Sequence, residues 1–454
     1  MTLLETPALR RPLTAPELDP LPVAVIGAGP IGLAAAAHLA ERGLPFVILE
    51  AGDAVGAGIR RWGHTRLFSP WKHVVDPASR RRLEASGWTL PAAEHLPTGT
   101  ELVERYLEPL ALLEPLDGRI RTGARVEAVT RRGMDRTRSA GRAETPFLLR
   151  IRTSDGTEEL LARAVIDTSG TSEHPNSLGS SGLDPLGLDG VADRVWHALP
   201  DVLGRDREHF AGRHVTVVGA GHSAANTLLA LAELAEEEPA TRITWLIRNA
   251  SAVRVTTSDD DGLAARASIG RRVDALVAAG RIRVVDRFEI VRLARLDDGV
   301  AADGAVRLIG ARGDDLVEHD TDLVVNATGF RPDLAMLREI RLDLDEVVEA
   351  PRRLAPLIDP NVHTCGTVEP HGFAELEHPE PGFFLAGMKS YGRAPTFLLA
   401  TGYEQVRSIA AWLAGDLAAA SAVELELPAT GVCSTSLAPD GSSCGPSDGG
   451  GCCG

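Results

Sequence analysis

The apolar positions of this chain fall into short continuous runs, each closed by glycine and followed by a longer apolar stretch of helical length. The clearest case is residues 22–50, PVAVIGAGPIGLAAAAHLAERGLPFVILE. Val23–Ile26 is apolar without alternation, the pattern of a strand covered on both faces. A helix rich in alanine and leucine follows, then a second apolar strand that closes at Glu50. The same succession returns over residues 214–249, HVTVVGAGHSAANTLLALAELAEEEPATRITWLIRN, with a strand at 215–218, a helix, and a second strand that ends beside Arg248.

The rest of the pattern is subordinate to these two units. Residues 51–76 show no clear period and suit a loop wrapped around a ligand, whereas 98–113 place Leu102, Tyr106, Leu107 and Leu110 at helical spacing. Alternation at 125–130 and 147–152 predicts strands, joined by a charged, turn-like stretch at 131–146. Residues 281–293 and 305–318 predict further strands, and Ala164–Asp167 and Leu323–Asn326 are short apolar strands that run into TSGTSEHPN and ATGFRPDL. Near the end, 383–386 reads as a strand and Pro395 as the first residue of a helix over 397–413, since proline costs nothing at that position.

Both glycine loops have a physical reading. Gly27, Gly29 and Gly32 are spaced Gly-x-Gly-x-x-Gly. The first permits a tight turn, the second lets backbone approach a pyrophosphate, and the third lets the helix opened by Pro30 pack on the strand. The helix start presents amides and a positive dipole end to phosphate, and Glu50 stands where an acid accepts hydrogen bonds from ribose hydroxyls. A dinucleotide with an unphosphorylated ribose is expected there. In the second unit Gly219 and Gly221 form the turn, His222 and Ser223 open the helix, and Ala224 takes the third small position. Arg248, with no acid beside it, favours a 2′-phosphate and therefore NADPH. The chain thus reads as α/β, with two Rossmann-like dinucleotide-binding domains.

Composition narrows the class. With 454 residues, 44% apolar and 24% charged, the chain is expected to fold as two or three soluble domains. A net charge of −16 argues against nucleic acid and anionic membranes as partners. Residues 1–20 carry Glu5, Arg10, Arg11, Glu17 and Asp19 and no apolar core, so they are not expected to be a signal peptide, and a cytoplasmic enzyme with reduced thiols is the default. Lys72 and Lys389 are the two lysines of the whole chain.

On the motifs VIGAGPIG, ILE, VVGAGHSAAN, WLIR and NATGFRP the chain resembles the two-dinucleotide-domain flavoproteins over residues 22–415, and within them the flavin-containing monooxygenase-like group. The resemblance implies FAD on the first loop, NADPH on the second, hydride transfer to flavin, and oxygenation of a small soft substrate through a C4a-hydroperoxide. It implies a discontinuous FAD domain (21–208 and 323–426), an inserted NADPH domain (209–322), an N-terminal arm (1–20) and a flexible tail (427–454). It also implies flavin contacts from Thr328 and Gly329 at the crossing back, from Gly387 after the last strand, and from Thr396 and Phe397 at the last helix. Two departures stand out. The family's aromatic-x-Gly-x-x-x-His linker is not reproduced in LDGVADRVWHALPD, although Trp196 and His197 are present, and Gly387 is followed by Met388 where many relatives have aspartate. The motifs FSPW, GWTLP, LPTGTEL, GHSAAN, CGTVEPHG and MKSYGRAPTF are similar to bacterial flavoproteins found beside arsenic-resistance genes, which points to a metalloid substrate.

Candidate chemistry follows from these placements. Lys389, Tyr391 and Arg393, between the last strand and its helix, are expected near the isoalloxazine: Lys389 toward N5 or a peroxide oxygen, Arg393 toward a phosphate or substrate anion, the alternative being that all three secure the loop. Trp71 is either a stacking residue over the flavin or a core residue. His363, Cys365, His371 and His378 form a cluster whose spacing fits no zinc pattern, leaving open a substrate pocket with Cys365 as its thiol, a soft-metal site, or loop packing. In the tail, Cys452 and Cys453 are a candidate soft-metal or dithiol-shuttle pair. No Cys-x-x-Cys or Cys-x-x-x-x-Cys occurs in the flavin domain, so a disulfide-reductase mechanism lacks its internal dithiol. The leading expectation is an FAD- and NADPH-dependent monooxygenase with a small-molecule substrate, oxygen as cosubstrate, and a homodimer left open. The alternatives are a reductase or oxidase using the tail thiols, and a metalloid-binding flavoprotein sensor.

Overall fold

The computed structural model of the chain describes residues 18–250, 264–296, 304–360, 370–394 and 397–425. In chain order its first part runs β1 (Val23–Ile26), α1 (Pro30–Glu41), β2 (Phe46–Leu49), α2 (Pro77–Ala85), β3 (Ile120–Arg121), β4 (Arg125–Arg131), β5 (Phe147–Thr153), β6 (Gly156–Ala162) and β7 (Ala164–Asp167). The second part runs β8 (Val195–His197), β9 (His214–Val218), α3 (His222–Glu237), β10 (Arg242–Leu246), α4 (Ala264–Ala278), β11 (Arg283–Val285), β12 (Glu289–Arg295), β13 (Val306–Arg312), β14 (Asp315–Thr321) and β15 (Leu323–Asn326). β16 (Phe383–Leu385) and α5 (Leu399–Leu413) follow.

A parallel sheet of order β16–β7–β1–β2–β3 forms the first core. Parallel strands need cover on both faces, which is why their sequences are apolar without alternation. α1 and α5 cover one face, and the wholly buried Ala34, Ala35, Ala36 and Ala37 let α1 lie close against its neighbours. The antiparallel sheet β4–β5–β6 packs its alternating residues Val129, Leu149 and Ile151 into the core that holds Ala24 and Val165. A buried knot joins this sheet to the turn before β16: Glu380, with no exposed surface, accepts from Arg131 Nε at 2.7 Å and pairs with Arg142 Nη2 at 2.8 Å.

The second parallel sheet has the order β11–β10–β9–β15–β8. Two of its strands correct the sequence assignment. Val195–His197 and Leu323–Asn326 were expected in the first domain, yet β8 pairs with β15 and β15 with β9. The apolar run of β15 reads the same whichever sheet completes it, so periodicity carries no information on this choice. The stretch 305–318, expected to form strands, is a hairpin: Gly313 turns at φ +64° between β13 and β14, which pair antiparallel with each other, while β13 also pairs antiparallel with β12. The helical spacing at 98–113 is realised as Gly99–Leu102, a π-helical turn Val103–Leu107, and Glu108–Ala111. Among the described residues no helix is long and apolar enough to cross a membrane.

Candidate functional site

β1 ends level with β2 and β7, and their carboxyl ends open a cavity of about 820 Å³. Gly27 leaves β1 at φ +100°, a left-handed backbone that glycine adopts without strain. A methyl group on Gly32 would stand 1.9 Å from the Gly27 carbonyl oxygen, so α1 approaches its own entry turn as closely as backbone allows. At Gly29 a methyl group would meet no atom within 4 Å, because that position faces the cavity. Glu50 braces the loop from the far side. Its carboxylate accepts from the Ala28 amide at 2.7 Å and the Gly52 amide at 2.8 Å, while the residue lines the cavity.

The second loop repeats the device. Gly219 leaves β9 at φ +129°, and a methyl group there would lie 2.2 Å from the Ala327 carbonyl oxygen, because β9 and β15 are parallel neighbours whose exits lie side by side. Gly221 is open, with nothing within 4 Å of a methyl position. His222 and Ser223, at the start of α3, and Asn226 line a second cavity of about 710 Å³. Its other walls are largely apolar, with Trp62, Leu67, Phe68 and Val74 from the long segment after β2 and Phe330, Phe397 and Leu399 opposite. Trp62, Leu67, Phe397 and Leu399 border both cavities, which are therefore two compartments of one cleft. At their seam Glu173 accepts from Arg61 at 2.6 Å and from Arg125 at 3.1 Å. The hydrogen bond from Arg125, aided by Arg61 and opposed by burial, holds the Glu173 carboxyl below the usual carboxylate range.

The structure separates the three residues expected beside the last strand. Lys389 lines the first cavity together with Gly387 and Met388, and its ammonium donates to Asp167 Oδ2 at 2.6 Å and Ser169 Oγ at 3.0 Å. Tyr391 and Arg393 border neither cavity. The chain reverses at Gly392, at φ +57°, and the Arg393 amide bonds the Val348 carbonyl, which turns the loop away from the cleft. The Arg393 guanidinium then pairs with Glu349 at 2.6 Å, and the Tyr391 ring packs edge-on to Phe397 with its hydroxyl pushed up by burial.

Other assignments change as well. Trp71 has no exposed surface and belongs to the core; Phe68 and Ser69 reach the cleft instead. Thr328 bonds Asn326 at the exit of β15, and neither it nor Gly329 borders either of these two cavities, whereas Phe330 borders the second. Arg248 is exposed at the end of its strand and donates to the Ser180 carbonyl at 3.1 Å. Ala224 is buried under its strand and borders neither cavity. His371 and His378 have different partners: His371 meets Gln405 at 2.9 Å, while His378 Nδ1 accepts from the Asp343 amide. Among the described residues no group of three or more side chains fits a metal ion. His363, Cys365, Pro395, Thr396, Cys452 and Cys453 lie outside the described residues.

Sequence reasoning passed over Asp167, Ser169, Arg61 and Glu173. The hydroxyl-rich TSG run after a buried strand was the available signal, but it read as a domain crossing. His197 also reaches the second cavity despite the irregular linker, because β8 carries it along the edge of the sheet.

The donor set fits two dinucleotides. Each loop has one glycine closed against backbone, one with open space beside it, and a helix start next to it, which is the arrangement that seats a pyrophosphate. Fold and cleft together define a flavoprotein oxidoreductase of the two-dinucleotide type. The pyridine nucleotide-disulphide oxidoreductase family matches residues 24–351, and the chain belongs to it. It is an enzyme with FAD and NADPH as its cofactors.

Relatives fall on both sides of this family's chemistry. A ferredoxin–NADP reductase of Gluconacetobacter diazotrophicus is 28% identical over 64% of this chain and 69% of its own length. The indole-3-pyruvate monooxygenase YUCCA1 of Oryza sativa subsp. japonica is 31% identical over 46% of this chain, which matches less than half (44%) of that enzyme's length. The structure of a double mutant of a flavin monooxygenase from Stenotrophomonas maltophilia superposes with a TM-score of 0.54 at 25% identity, covering 86% of this chain and 98% of that one.

Proposed function

We propose that this chain is an NADPH-dependent flavin monooxygenase acting on a small, soft nucleophile. The observation that carries this reading is the second cavity: a largely apolar compartment that shares walls with the flavin cavity, opens beside the NADPH loop, and has no cysteine among the described residues that line it. The first cysteine of the chain is Cys365, so no dithiol precedes it in sequence to relay electrons from flavin to a disulfide. Bound FAD would accept the hydride and activate oxygen. The residues around it supply position and dryness. Trp62, Leu67, Phe68 and Phe397 exclude water and hold the substrate, and Glu50 and the glycine loops hold the nucleotides. The overall reaction takes substrate, NADPH, H⁺ and O₂ to oxygenated substrate, NADP⁺ and H₂O. The similarity to flavin monooxygenases supports the same reading, and a metalloid species is the substrate that the arsenic-associated motifs suggest.

The test follows NADPH oxidation, oxygen uptake and hydrogen peroxide release together, with a methyl aryl thioether, an alkyl amine and arsenite as trial nucleophiles. With a substrate, peroxide per NADPH falls and a product one oxygen atom heavier appears. One peroxide per NADPH across the whole panel, or NADPH-driven disulfide reduction without oxygen uptake, overturns the proposal.

A further inference from the structure

Four cationic side chains are buried among the described residues: Arg131, Arg142, Arg407 and Lys389. The three arginines border neither cavity, and each spreads its fork over a carboxylate and main-chain carbonyls. Lys389 differs in place and in kind. It is 1% exposed, it lines the flavin cavity, and it is a lysine in a chain where only two of the 47 Lys and Arg residues are lysine. The other lysine, Lys72, is exposed and paired with Glu94. A guanidinium is a planar fork suited to bidentate acceptors, whereas an ammonium is a compact point charge with three donors.

Among the described residues Asp167 Oδ2 and Ser169 Oγ take two of those donors. The side chain lines the first cavity, so the ion pair stands at its wall. The positions of its partners are fixed. Asp167 ends β7 and has no exposed surface, its Oδ1 also accepts from the Ser169 amide and hydroxyl at 3.0 and 2.7 Å, and the Gly387 amide is anchored on Gln405 at 2.8 Å. The ammonium is thus pre-oriented from two separate parts of the sheet.

We propose that Lys389 is a cofactor-contacting residue that sets how readily the bound flavin is reduced, with Asp167 and Ser169 as its positioning residues. The proposal rests on FAD occupying the first cavity, as in the reading above. Hydride transfer from NADPH delivers two electrons and one proton and leaves NADP⁺, so the acceptor gains one negative charge. A fixed, desolvated ammonium at the wall of that cavity stabilises the reduced state more than the oxidised one. Asp167 moderates the effect, because its negative charge lies beside the same nitrogen.

The experiment measures the ratio of reduced to oxidised FAD in purified holoprotein at a fixed dye poise, in Lys389→Met, Asp167→Asn and the double variant, with FAD content determined beside it. Lys389→Met is expected to lower the reduced-to-oxidised ratio about tenfold, equivalent to about 30 mV for a two-electron couple. Asp167→Asn is expected to raise it. The double variant leaves no unpaired buried charge, so it keeps the comparison open where a single variant fails to fold. It is expected to stay below the wild-type ratio, because the donor is gone. A purely structural role predicts a wild-type ratio in the double variant and in any Lys389→Met protein that retains FAD, and that result overturns the proposal. The readout does not depend on oxygenation, so failure of the monooxygenase reading leaves it standing, while wild-type protein that binds no FAD removes the reading on which both rest.

Discussion

At the scale of single residues, three glycines of one motif do three different jobs, and substitution separates them. Gly32 has backbone 1.9 Å from any added methyl, whereas Gly29 has open space. Gly32→Ala is expected to push α1 off β1, with a loss of stability of about 1–3 kcal/mol from overpacking, read as a lower denaturation midpoint with or without FAD. Gly29→Ala is expected to leave the apoprotein midpoint unchanged and to weaken FAD binding at least tenfold in a fluorescence titration, because the methyl occupies cofactor space. Equal effects of both substitutions on the apoprotein would refute the distinction. The motif spacing identified these residues. What it left undetermined was the direction each one faces, which depends on where β7 and the Thr168 carbonyl lie.

At the scale of elements, charged knots decide how the pieces are joined. Glu380 holds Arg131 and Arg142 in a site with almost no solvent access, linking β4 and the β4–β5 connection to the approach to β16. Glu380→Gln leaves two buried guanidiniums without their anion and is expected to cost about 3–5 kcal/mol, seen as a reduced midpoint in urea. Since Glu380 borders neither cavity, FAD stoichiometry in the surviving folded fraction is expected to stay at the wild-type value. A midpoint shift under 1 kcal/mol equivalent would show the knot to be dispensable. Elements with a strong period were legible in advance: β1, α1, β9 and α3 lie where the apolar pattern put them, whereas α5 starts at Leu399, two residues after the expected start at 397, because Leu398 is still extended. Elements whose identity turns on one residue were not. Gly313 sets the turn that divides the strand-forming stretch 305–318 into β13 and β14, and the π-helical turn Val103–Leu107 absorbs an extra residue within an otherwise regular apolar spacing.

At the scale of the whole molecule, acid stability depends on histidines buried in both halves. Burial pushes His378 down to about 4, and burial with the nearby His214 pushes His319 down to about 4. His378 Nδ1 accepts from the Asp343 amide, so the neutral ring carries its proton on Nε2, which has no partner among the described residues; a second proton would have to displace the Asp343 bond at Nδ1 and leave a desolvated cation. In the unfolded chain each imidazole titrates near about 6.5. Between that value and about 4 the unfolded state binds more protons, so stability is full above the window and is lost as pH falls through it. For His378 the full shift corresponds to on the order of 3 kcal/mol. Unfolding midpoints measured from pH 7 to 4.5 are expected to fall steadily, and His378→Leu is expected to flatten that slope. A variant with an unchanged slope would assign the acid sensitivity elsewhere.

By itself the sequence determined the two nucleotide-binding units, because a buried parallel strand, a glycine turn and a helix start each impose local rules that leave a trace in residue order. It also determined that no dithiol precedes Cys365. Tertiary structure alone decided which sheet receives Leu323–Asn326, since an apolar strand can complete either one. It also decided that Trp71 fills the core while Trp62 borders the cleft, and that Lys389 meets Asp167 while Arg393 turns away. These outcomes depend on contacts between residues far apart in the chain, 222 positions for Lys389 and Asp167, and pairings at that range are set by packing and charge compensation, which local sequence patterns do not encode.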